Sequence, residues 1–297
     1  MDLVDAISAT LDVEVVATSR VSGGDVAEAF RFDLADGRAI FVKTHRHPPA
    51  DFFTTEAAGL RWLAAAQAAP VPDVLSVSDG DDAAGDTTTP PHLALRWVDA
   101  GGRQDSRTEA MFGRDLARLH RAGAPRFGRT DRRTTGSRAL PNEPCDTWSE
   151  FFATQRLQPL CRLASDAGAL TAATVAGIGW IADHLDDLGG PPEPPARLHG
   201  DPWAGNRLID DVGTSWLIDP AAHGGHREFD LAMMRLFGGF GSDCFDAYDR
   251  EFPLAAGWQQ RVSLHQLAPL AVHAIKFGGG YASATDEAVR SVRTHLA

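Results

Sequence analysis

One polar segment and the short apolar strand after it constrain the fold of this chain most. Residues 198–206 read LHGDPWAGN, and residues 216–220 read WLIDP. Asp201 and Asn206 are five positions apart, and Asp219 follows Asn206 by thirteen. A His-x-Asp opening, an Asn after four intervening residues and an Asp at the end of a strand form the pattern of a kinase catalytic loop with its metal-binding Asp. The pattern therefore predicts a site for phosphoryl transfer.

The side chains in this pattern suit that chemistry. A carboxylate is needed to orient the attacking hydroxyl and accept its proton, and oxygen ligands are needed to hold Mg²⁺ on the phosphates of ATP. We therefore predict Asp201 as the catalytic base, and Asn206 with Asp219 as the Mg²⁺ ligands. Residues 210–213 (DDVG) predict a turn between two short strands, which would bring both ligands to one end of a ribbon.

Two nearby residues are predicted to support this segment. We expect His199 to orient the loop rather than to accept a proton, because Asp201 already supplies the base. Asp230 lies near the start of a predicted helix, where we expect it to brace the catalytic loop. The helix dipole alone would also favour a carboxylate at that position.

Composition limits the classes of protein to which the chain can belong. Its 297 residues suffice for one two-lobed domain or two ordinary domains, and 43% hydrophobic with 23% charged residues is typical of a soluble globular protein. A formal net charge of −12 argues against general affinity for nucleic acid. Three scattered cysteines indicate neither a disulfide framework nor a metal site. Because no leader peptide or membrane span is recognisable, we expect a cytoplasmic protein without nucleic-acid or membrane partners.

The order of predicted elements changes near residue 100. Strands are predicted at about 13–17, 29–34, 39–43, 73–78 and 92–98, and helices at about 2–11, 52–66, 112–120, 147–166, 170–188 and 228–238 and in the last 50 residues. Residues 100–102 (AGG) are the best linker. This order predicts a two-lobed α+β fold. Residues 1–99 form a small nucleotide-binding lobe, an antiparallel sheet with one main helix. Residues 100–297 form a larger, mostly helical lobe for catalysis and substrate binding.

Several residues of the first lobe are predicted to bind the nucleotide. Lys43 ends a strand and Glu56 follows on a helix, as in kinases, where a Lys that contacts the α- and β-phosphates is held by a Glu. Alone this pair would be a coincidence, but the Asp-Asn-Asp pattern downstream indicates a functional pair. Gly23 and Gly24 would let backbone N–H groups approach the phosphates, although an ordinary turn would have the same sequence. The strand end at residues 97–98 supplies the last predicted contacts, Trp97 and Val98.

Two further features carry weaker signals. His223 and His226, in the run HGGH, could suggest a metal site, but two His without further partners favour a place in a pocket wall or in hydrogen bonds. Residues 79–91 (DGDDAAGDTTTPP) are acidic and rich in helix breakers, so they predict a solvated loop.

The motifs along the chain resemble those of the fructosamine kinase (ketosamine 3-kinase) family. The resemblance rests mainly on residues 198–206, on residues 225–233 (GHREFDLAM) and on residues 277–281 (FGGGY), with shorter matches along most of the chain. The family belongs with aminoglycoside and choline kinases in the protein-kinase-like fold. Those kinases share only the catalytic skeleton, whereas the pairing of the first two motifs is selective for this family.

This resemblance implies transfer of the ATP γ-phosphate to the 3-hydroxyl of a ketosamine, a sugar joined to an amine by glycation. The 3-phosphate is unstable and breaks down, which frees the amine. Trp203 would then wall the sugar pocket, although ordinary packing would also explain it, and His223 and His226 would be further substrate residues. Some family members carry a redox-active Cys in the Gly-rich loop, whereas residues 23–28 (GGDVAE) contain none. A kinase for another hydroxylated amine, of aminoglycoside or choline type, and a nucleotide-binding pseudokinase remain the alternatives.

Overall fold

A computed structural model describes residues 1–21, 27–80, 89–132, 134–135 and 139–295. The chain divides into two compact units. Unit 1 contains Met1–Arg103 together with Leu208–Asp219, and unit 2 contains Gln104–Arg207 together with Pro220–Ala297. No helix in the described ranges is both long enough and apolar enough to cross a membrane.

An antiparallel sheet of five strands forms the centre of unit 1. Its elements are α1 (Leu3–Leu11), β1 (Val15–Val21), β2 (Glu28–Leu34), β3 (Ala39–Thr44), α2 (Phe52–Ala64), β4 (Val74–Ser78) and β5 (His92–Arg96). The strand order is β1-β2-β3-β5-β4, so β3 is the central strand. Lys43 in β3 lies opposite Ala29 in β2 and Leu93 in β5. Hydrogen bonding on both sides therefore fixes the backbone that carries Lys43.

Alternation along β2 and β3 explains the buried face of this sheet. Side chains two residues apart on a strand point to the same face, and the apolar members of both strands pack against α1. The buried residues of this core are Ile7, Phe32, Leu34, Ile40, Val42 and Ala94. The strands predicted at 29–34 and 39–43 are confirmed: they pair antiparallel as β2 and β3 through a turn at Asp36-Gly37, where Gly37 has φ of +85°, which glycine adopts at little cost.

Helices make up most of unit 2. After β5 the chain continues through α3 (Ser106–Arg121), β6 (Thr134–Thr135), β7 (Leu140–Pro141), α4 (Trp148–Phe151), a π-helical segment (Phe152–Leu157), α5 (Gln158–Asp166), α6 (Ala172–Asp183), α7 (Leu185–Leu188), β8 (Ala196–Leu198), a 3₁₀ turn (Ala204–Asn206), β9 (Arg207–Ile209), β10 (Ser215–Leu217), β11 (His223–Gly225), α8 (Glu228–Phe237), α9 (Ser242–Glu251), α10 (Trp258–Phe277) and α11 (Gly280–His295). The α4–α5 stretch, α6, α10 and α11 enclose the larger apolar core. The predicted helix at 147–166 is thus one helical stretch with a π segment inside it.

The helix predicted at 170–188 is interrupted at His184. The ring Nδ1 of His184 lies 2.7 Å from the carbonyl oxygen of Trp180, which a regular helix would offer to the N–H of residue 184. That N–H instead donates to the carbonyl of Ile181, and His184 has φ of −118°. A side chain that competes for a backbone carbonyl therefore ends α6.

The glycine pair predicted as a linker is closely packed within unit 1. A Cβ on Gly101 would lie 2.2 Å from Oδ1 of Asp211, and one on Gly102 would lie 2.1 Å from the carbonyl oxygen of Asp210. The N–H of Gly102 also donates to the carbonyl of Ile209 at 3.0 Å. These glycines therefore allow the backbone to approach the β9–β10 turn, a role that a flexible linker does not explain.

Candidate active site

The predicted phosphate-binding pair of unit 1 is in contact. Nζ of Lys43 donates to Oε1 of Glu56 at 3.0 Å and also forms an ion pair with Oδ1 of Asp219. The side chains of Lys43 and Glu56 are 13% and 15% exposed, whereas Asp219 is 38% exposed. Asp219 has φ of +52°, a left-handed conformation that is uncommon for residues other than glycine. The end of the β9–β10 hairpin thus presents one carboxylate to the central strand and keeps it accessible.

The electrostatics of this cluster favour a cation. Burial disfavours the ammonium form of Lys43, but Glu56 and Asp219 outweigh that effect and raise the pKa of Lys43 above its ordinary value. Burial also raises the pKa of Glu56 to about 7, with Lys43 opposing the shift and the Asp219 carboxylate adding to it. The carboxylates of Glu56 and Asp219 therefore compete for one ammonium group. The half-exposed Asp219 carboxylate is therefore suited to a divalent cation, which prefers oxygen ligands.

In unit 2, the predicted base and the predicted amide ligand are held together within one loop. Nδ2 of Asn206 donates to the carbonyl oxygen of Asp201 at 2.9 Å and to its carboxylate Oδ2 at 3.2 Å. The N–H of Trp203 donates to the same carbonyl at 3.1 Å, and the N–H of Asn206 donates to the carbonyl of Trp203 at 2.9 Å. Asn206 is buried, and its amide nitrogen faces Asp201. The amide oxygen is the atom of Asn206 with the chemistry of a Mg²⁺ ligand.

Asp230 braces this loop, as its position in the sequence predicts. Its carboxylate is fully buried and accepts the N–H of His199 at 2.8 Å and the N–H of Gly200 at 3.0 Å. Burial opposes ionisation of Asp230, but the hydrogen bond from His120, together with smaller contributions that include the Gly200 N–H, brings its pKa below its ordinary value. His199 is also fully buried, and its Nδ1 accepts the N–H of Asp201 at 3.2 Å. The backbone on both sides of the predicted base is therefore fixed.

Two buried residues that the sequence did not predict complete the support of Asp230. Nε2 of His120 lies 3.2 Å from Oδ2 of Asp230, and Nδ1 of His120 lies 2.8 Å from the hydroxyl of Tyr248. An ionised Asp230 is an acceptor only, so the neutral tautomer of His120 that fits carries its proton on Nε2. Nδ1 then accepts the tyrosine hydroxyl proton. His120 occurs in the predicted amphipathic helix, but its partners could not be identified from the sequence.

Gly200 is required by the path of the loop. It has φ of +83°, and a Cβ at this position would lie 2.1 Å from the carbonyl oxygen of Ala221. The glycine of the LHGD motif thus allows a close backbone approach that another residue would prevent.

The three predicted substrate residues have different environments within unit 2. Trp203 is 43% exposed, and its ring lies over Gly205, where a Cβ would be 2.2 Å from it. His223 and His226 are buried, at 1% and 3% exposure. Burial lowers the pKa of His223 to about 3 and that of His226 to about 4, with neighbouring positive charge contributing in both cases. Both histidines are therefore neutral at pH 7, and Trp203 alone of the three presents a large exposed face.

His226 belongs to a buried polar cluster around Glu228. Ligand-type atoms of His226, Glu228 and His265 lie within 4.8 Å of one another. The two oxygens of Glu228 accept hydrogen bonds from Arg261 at 2.9 and 2.6 Å, so an arginine already neutralises this carboxylate. The cluster is typical of a buried structural network rather than of a metal centre.

Of the remaining predicted nucleotide contacts, the structure describes Trp97 and Val98 in unit 1. Trp97 follows β5, donates from Nε1 to Oδ1 of Asp99 at 2.8 Å, and has the guanidinium of Arg31 4.9 Å from its ring centroid. Val98 is half-buried. Gly23 and Gly24 lie outside the described residues, as do residues 81–88 of the predicted acidic loop. The roles predicted for these residues stay predictions.

Comparison with known proteins gives consistent matches over nearly the whole chain. The family model described as fructosamine kinase matches residues 4–295. A probable ketoamine kinase from Enterococcus faecium is 33% identical over 268 residues, which cover 90% of this chain and 92% of that protein. A solved structure from Thermobifida fusca, titled as a candidate fructosamine-3-kinase, has a TM-score of 0.88 at 40% identity and covers 99% of both chains.

More distant structures agree in fold alone. The choline kinase LicA from Streptococcus pneumoniae has a TM-score of 0.63 at 14% identity, covering 98% of this chain and 97% of that chain. The predicted protein-kinase-like α+β fold is therefore confirmed.

Proposed function

Because the chain belongs to the fructosamine kinase family, we propose that it phosphorylates the 3-hydroxyl of ketosamines, with ATP as the phosphate donor. Ketosamines of the fructosamine and ribulosamine type, on free or protein-linked amines, are the proposed substrates. The observation that carries the proposal is the loop in which Asn206 donates hydrogen bonds to Asp201. Asp230 braces the same loop by accepting the N–H of His199. Hydrogen bonds that hold the Asp201 carboxylate in one orientation suit a base that accepts the proton of one substrate hydroxyl in each turnover.

Lys43 is proposed to bind the α- and β-phosphates of ATP. Glu56 holds its ammonium at 3.0 Å within a largely buried site, so little side-chain freedom is lost when phosphate arrives. The raised pKa of Lys43 keeps the ammonium charged at any physiological pH. Gly23, Gly24 and residues 97–98 are proposed to contact the nucleotide as well, within a nucleotide-binding lobe at 1–99.

The donor atoms also fit Mg²⁺, for which we propose Asn206 and Asp219 as ligands. Carboxylate and amide oxygens are hard donors, and Asp219 shares its ammonium partner with Glu56. When bound, Mg²⁺ would neutralise charge on the transferred phosphate. Lys43 offsets part of the charge on Asp219 in the absence of the ion.

Asp201 is proposed to accept the proton of the 3-hydroxyl while that oxygen forms a bond to the γ-phosphorus. The bond from the γ-phosphorus to the bridging oxygen of ADP breaks in the same process, and ADP leaves with the electron pair. General-base assistance of this kind contributes about 10²–10⁴ in rate. The hydrogen bonds from Asn206 and to His199 hold the carboxylate and its backbone in place.

The catalytic and substrate-binding lobe is proposed to span 100–297. Trp203 is proposed to pack its exposed ring against the sugar, because aromatic faces offer an apolar surface with a defined plane. His223 and His226 are proposed to support the wall of the substrate pocket as buried side chains, since both are buried and neutral. The resulting 3-phosphate breaks down and frees the amine.

A panel of acceptors tests the proposal. ADP release is measured for the wild type and for Asp201→Asn with fructosyl-lysine, ribulosyl-lysine, choline and kanamycin. We expect turnover with one or both ketosamines, and its loss in Asp201→Asn with ATP binding retained. Turnover with choline or kanamycin alone would favour a kinase for another hydroxylated amine. Nucleotide binding without turnover on any acceptor would favour a pseudokinase.

A further inference from the structure

Arg207, the residue directly after Asn206, is held by a buried ion pair. The guanidinium is paired with Oε1 of Glu109 in α3, and both side chains are less than 5% exposed. It also donates to the carbonyl oxygen of Thr108 at 3.3 Å, and its central carbon lies 4.4 Å from the centroid of the Phe112 ring. The first turns of α3 therefore fix the guanidinium through an ion pair, a hydrogen bond and an aromatic face.

The second oxygen of Glu109 ties another segment to the same place. Oε2 accepts the N–H of Gly241 at 2.5 Å. Gly239 has φ of +85°, and a Cβ there would lie 2.3 Å from Cβ of Ala204, the first residue of the 3₁₀ turn that ends at Asn206. One carboxylate thus joins the segment that packs under the 3₁₀ turn to the arginine that follows it.

Stability alone gives little reason for this arrangement. Replacing a buried ion pair by apolar residues of similar volume is often neutral or stabilising, because desolvation of both charges offsets their attraction. The ion pair does supply direction, since the guanidinium and the carboxylate each have fixed hydrogen-bonding geometry. Asp201, on the N-terminal side of Asn206, accepts hydrogen bonds from the Asn206 side chain. Arg207, on the C-terminal side, is held by the ion pair, so Asn206 is restrained from both sides.

We propose that Glu109 and Arg207 are a positioning pair that fixes Asn206 as a Mg²⁺ ligand, an inference that rests on the metal role proposed for Asn206. Residues that hold a metal ligand from behind commonly change metal affinity about 10- to 100-fold when they are replaced. Loss of Glu109 would free Arg207 and the segment under the 3₁₀ turn together. Loss of Arg207 would leave the buried Glu109 carboxylate beside the same turn without its positively charged partner.

Mn²⁺ binding in the presence of ADP, followed by electron paramagnetic resonance, tests this inference without turnover. The variants are Glu109→Gln, Arg207→Met, the double variant, and Asn206→Ala as the test of the ligand itself. Glu193→Gln is the control, because it removes the charge of another glutamate that is paired with an arginine: both oxygens of Glu193 accept from Arg227, at 2.7 Å each. If Arg207→Met does not fold, Arg207→Lys takes its place in the experiment, because lysine keeps the charge but lacks the planar guanidinium.

We expect Glu109→Gln and Arg207→Met each to weaken Mn²⁺ binding about 10-fold or more. The double variant should be no weaker than the worse single variant, and Glu193→Gln should bind Mn²⁺ like the wild type. Unchanged Mn²⁺ affinity in both single variants, or losses that multiply in the double variant, would overturn the positioning pair. If Asn206→Ala leaves Mn²⁺ affinity unchanged, the proposed metal role fails instead.

Discussion

Replacing Asp230 by Asn probes how the catalytic loop is held. The His199 N–H donates to Oδ2 of Asp230 and the Gly200 N–H donates to Oδ1, so the two bonds use different oxygens. An asparagine amide has one acceptor oxygen. One of the two backbone N–H groups would therefore lose its acceptor and face an NH₂ group.

The size of this effect follows from the burial of Asp230. A buried donor left without a partner costs about 1–3 kcal/mol, and a hydrogen bond to a charged group contributes about 1.5–3 kcal/mol. We therefore expect the free energy of unfolding to fall by about 3 kcal/mol. For a chain of 297 residues that corresponds to a decrease in Tm of roughly 5 °C.

Turnover is expected to fall more than stability. Displacement of a catalytic group by about 1 Å costs on the order of 100-fold in rate, so kcat for Asp230→Asn should decrease by at least that factor. The KM for ATP should change little, because Lys43 and Glu56 keep their contact in unit 1. Thermal unfolding and steady-state kinetics measure both effects, with Asp33→Asn as the control for loss of a surface ion pair. Wild-type Tm and kcat in Asp230→Asn would refute the account of the loop.

Further predictions concern the phosphate-binding pair, the loop glycine and the buried histidines. Glu56→Gln should raise the KM for ATP in steady-state kinetics, because Lys43 keeps an acceptor oxygen but loses the negative charge that holds its ammonium; an unchanged KM would argue against a role of Glu56 in holding Lys43. Gly200→Ala should lower both Tm and kcat, since positive φ costs about 1–2 kcal/mol and the new Cβ meets a carbonyl oxygen, whereas Gly168→Ala, with open space around it, should lower Tm only. His223 and His226 have pKa values of about 3 and 4 when folded, below their ordinary value, so unfolding binds protons as the pH falls below about 6.5. Urea denaturation should therefore show stability falling from pH 7 to 4.5, less steeply in His226→Phe; equal stability across that range would contradict the buried neutral state.

Local spacing in the sequence predicted much of the fold. The hairpin at Asp36-Gly37 depends on residues adjacent in the chain, and the helix around Glu56 follows from an apolar periodicity that survives folding. The contact between Lys43 and Glu56 was predictable only together with the Asp-Asn-Asp pattern downstream, because the spacing of the pair alone carries no such signal. The interruption of the helix at His184 was not predicted, because there a side chain competes with the backbone for one carbonyl.

The supports of the catalytic loop were harder to predict. His120 contacts Asp230 across 110 residues of sequence and Tyr248 across 128 residues. Glu109 meets Arg207 across 98 residues. Buried polar partners carry no periodic signal, so only the tertiary structure identifies them. Asp230 was the exception, because its place near the start of a predicted helix indicated a bracing role.

The position of the transferred phosphate tests the central claim most directly. Fructosyl-lysine is incubated with ATP, Mg²⁺ and the wild type or Asp201→Asn, and the product is followed by correlated proton and phosphorus NMR. We predict phosphate on the oxygen of sugar carbon 3, followed by slow release of free lysine, with neither signal in Asp201→Asn. Phosphate on another hydroxyl, or an undiminished rate in Asp201→Asn, would contradict the account.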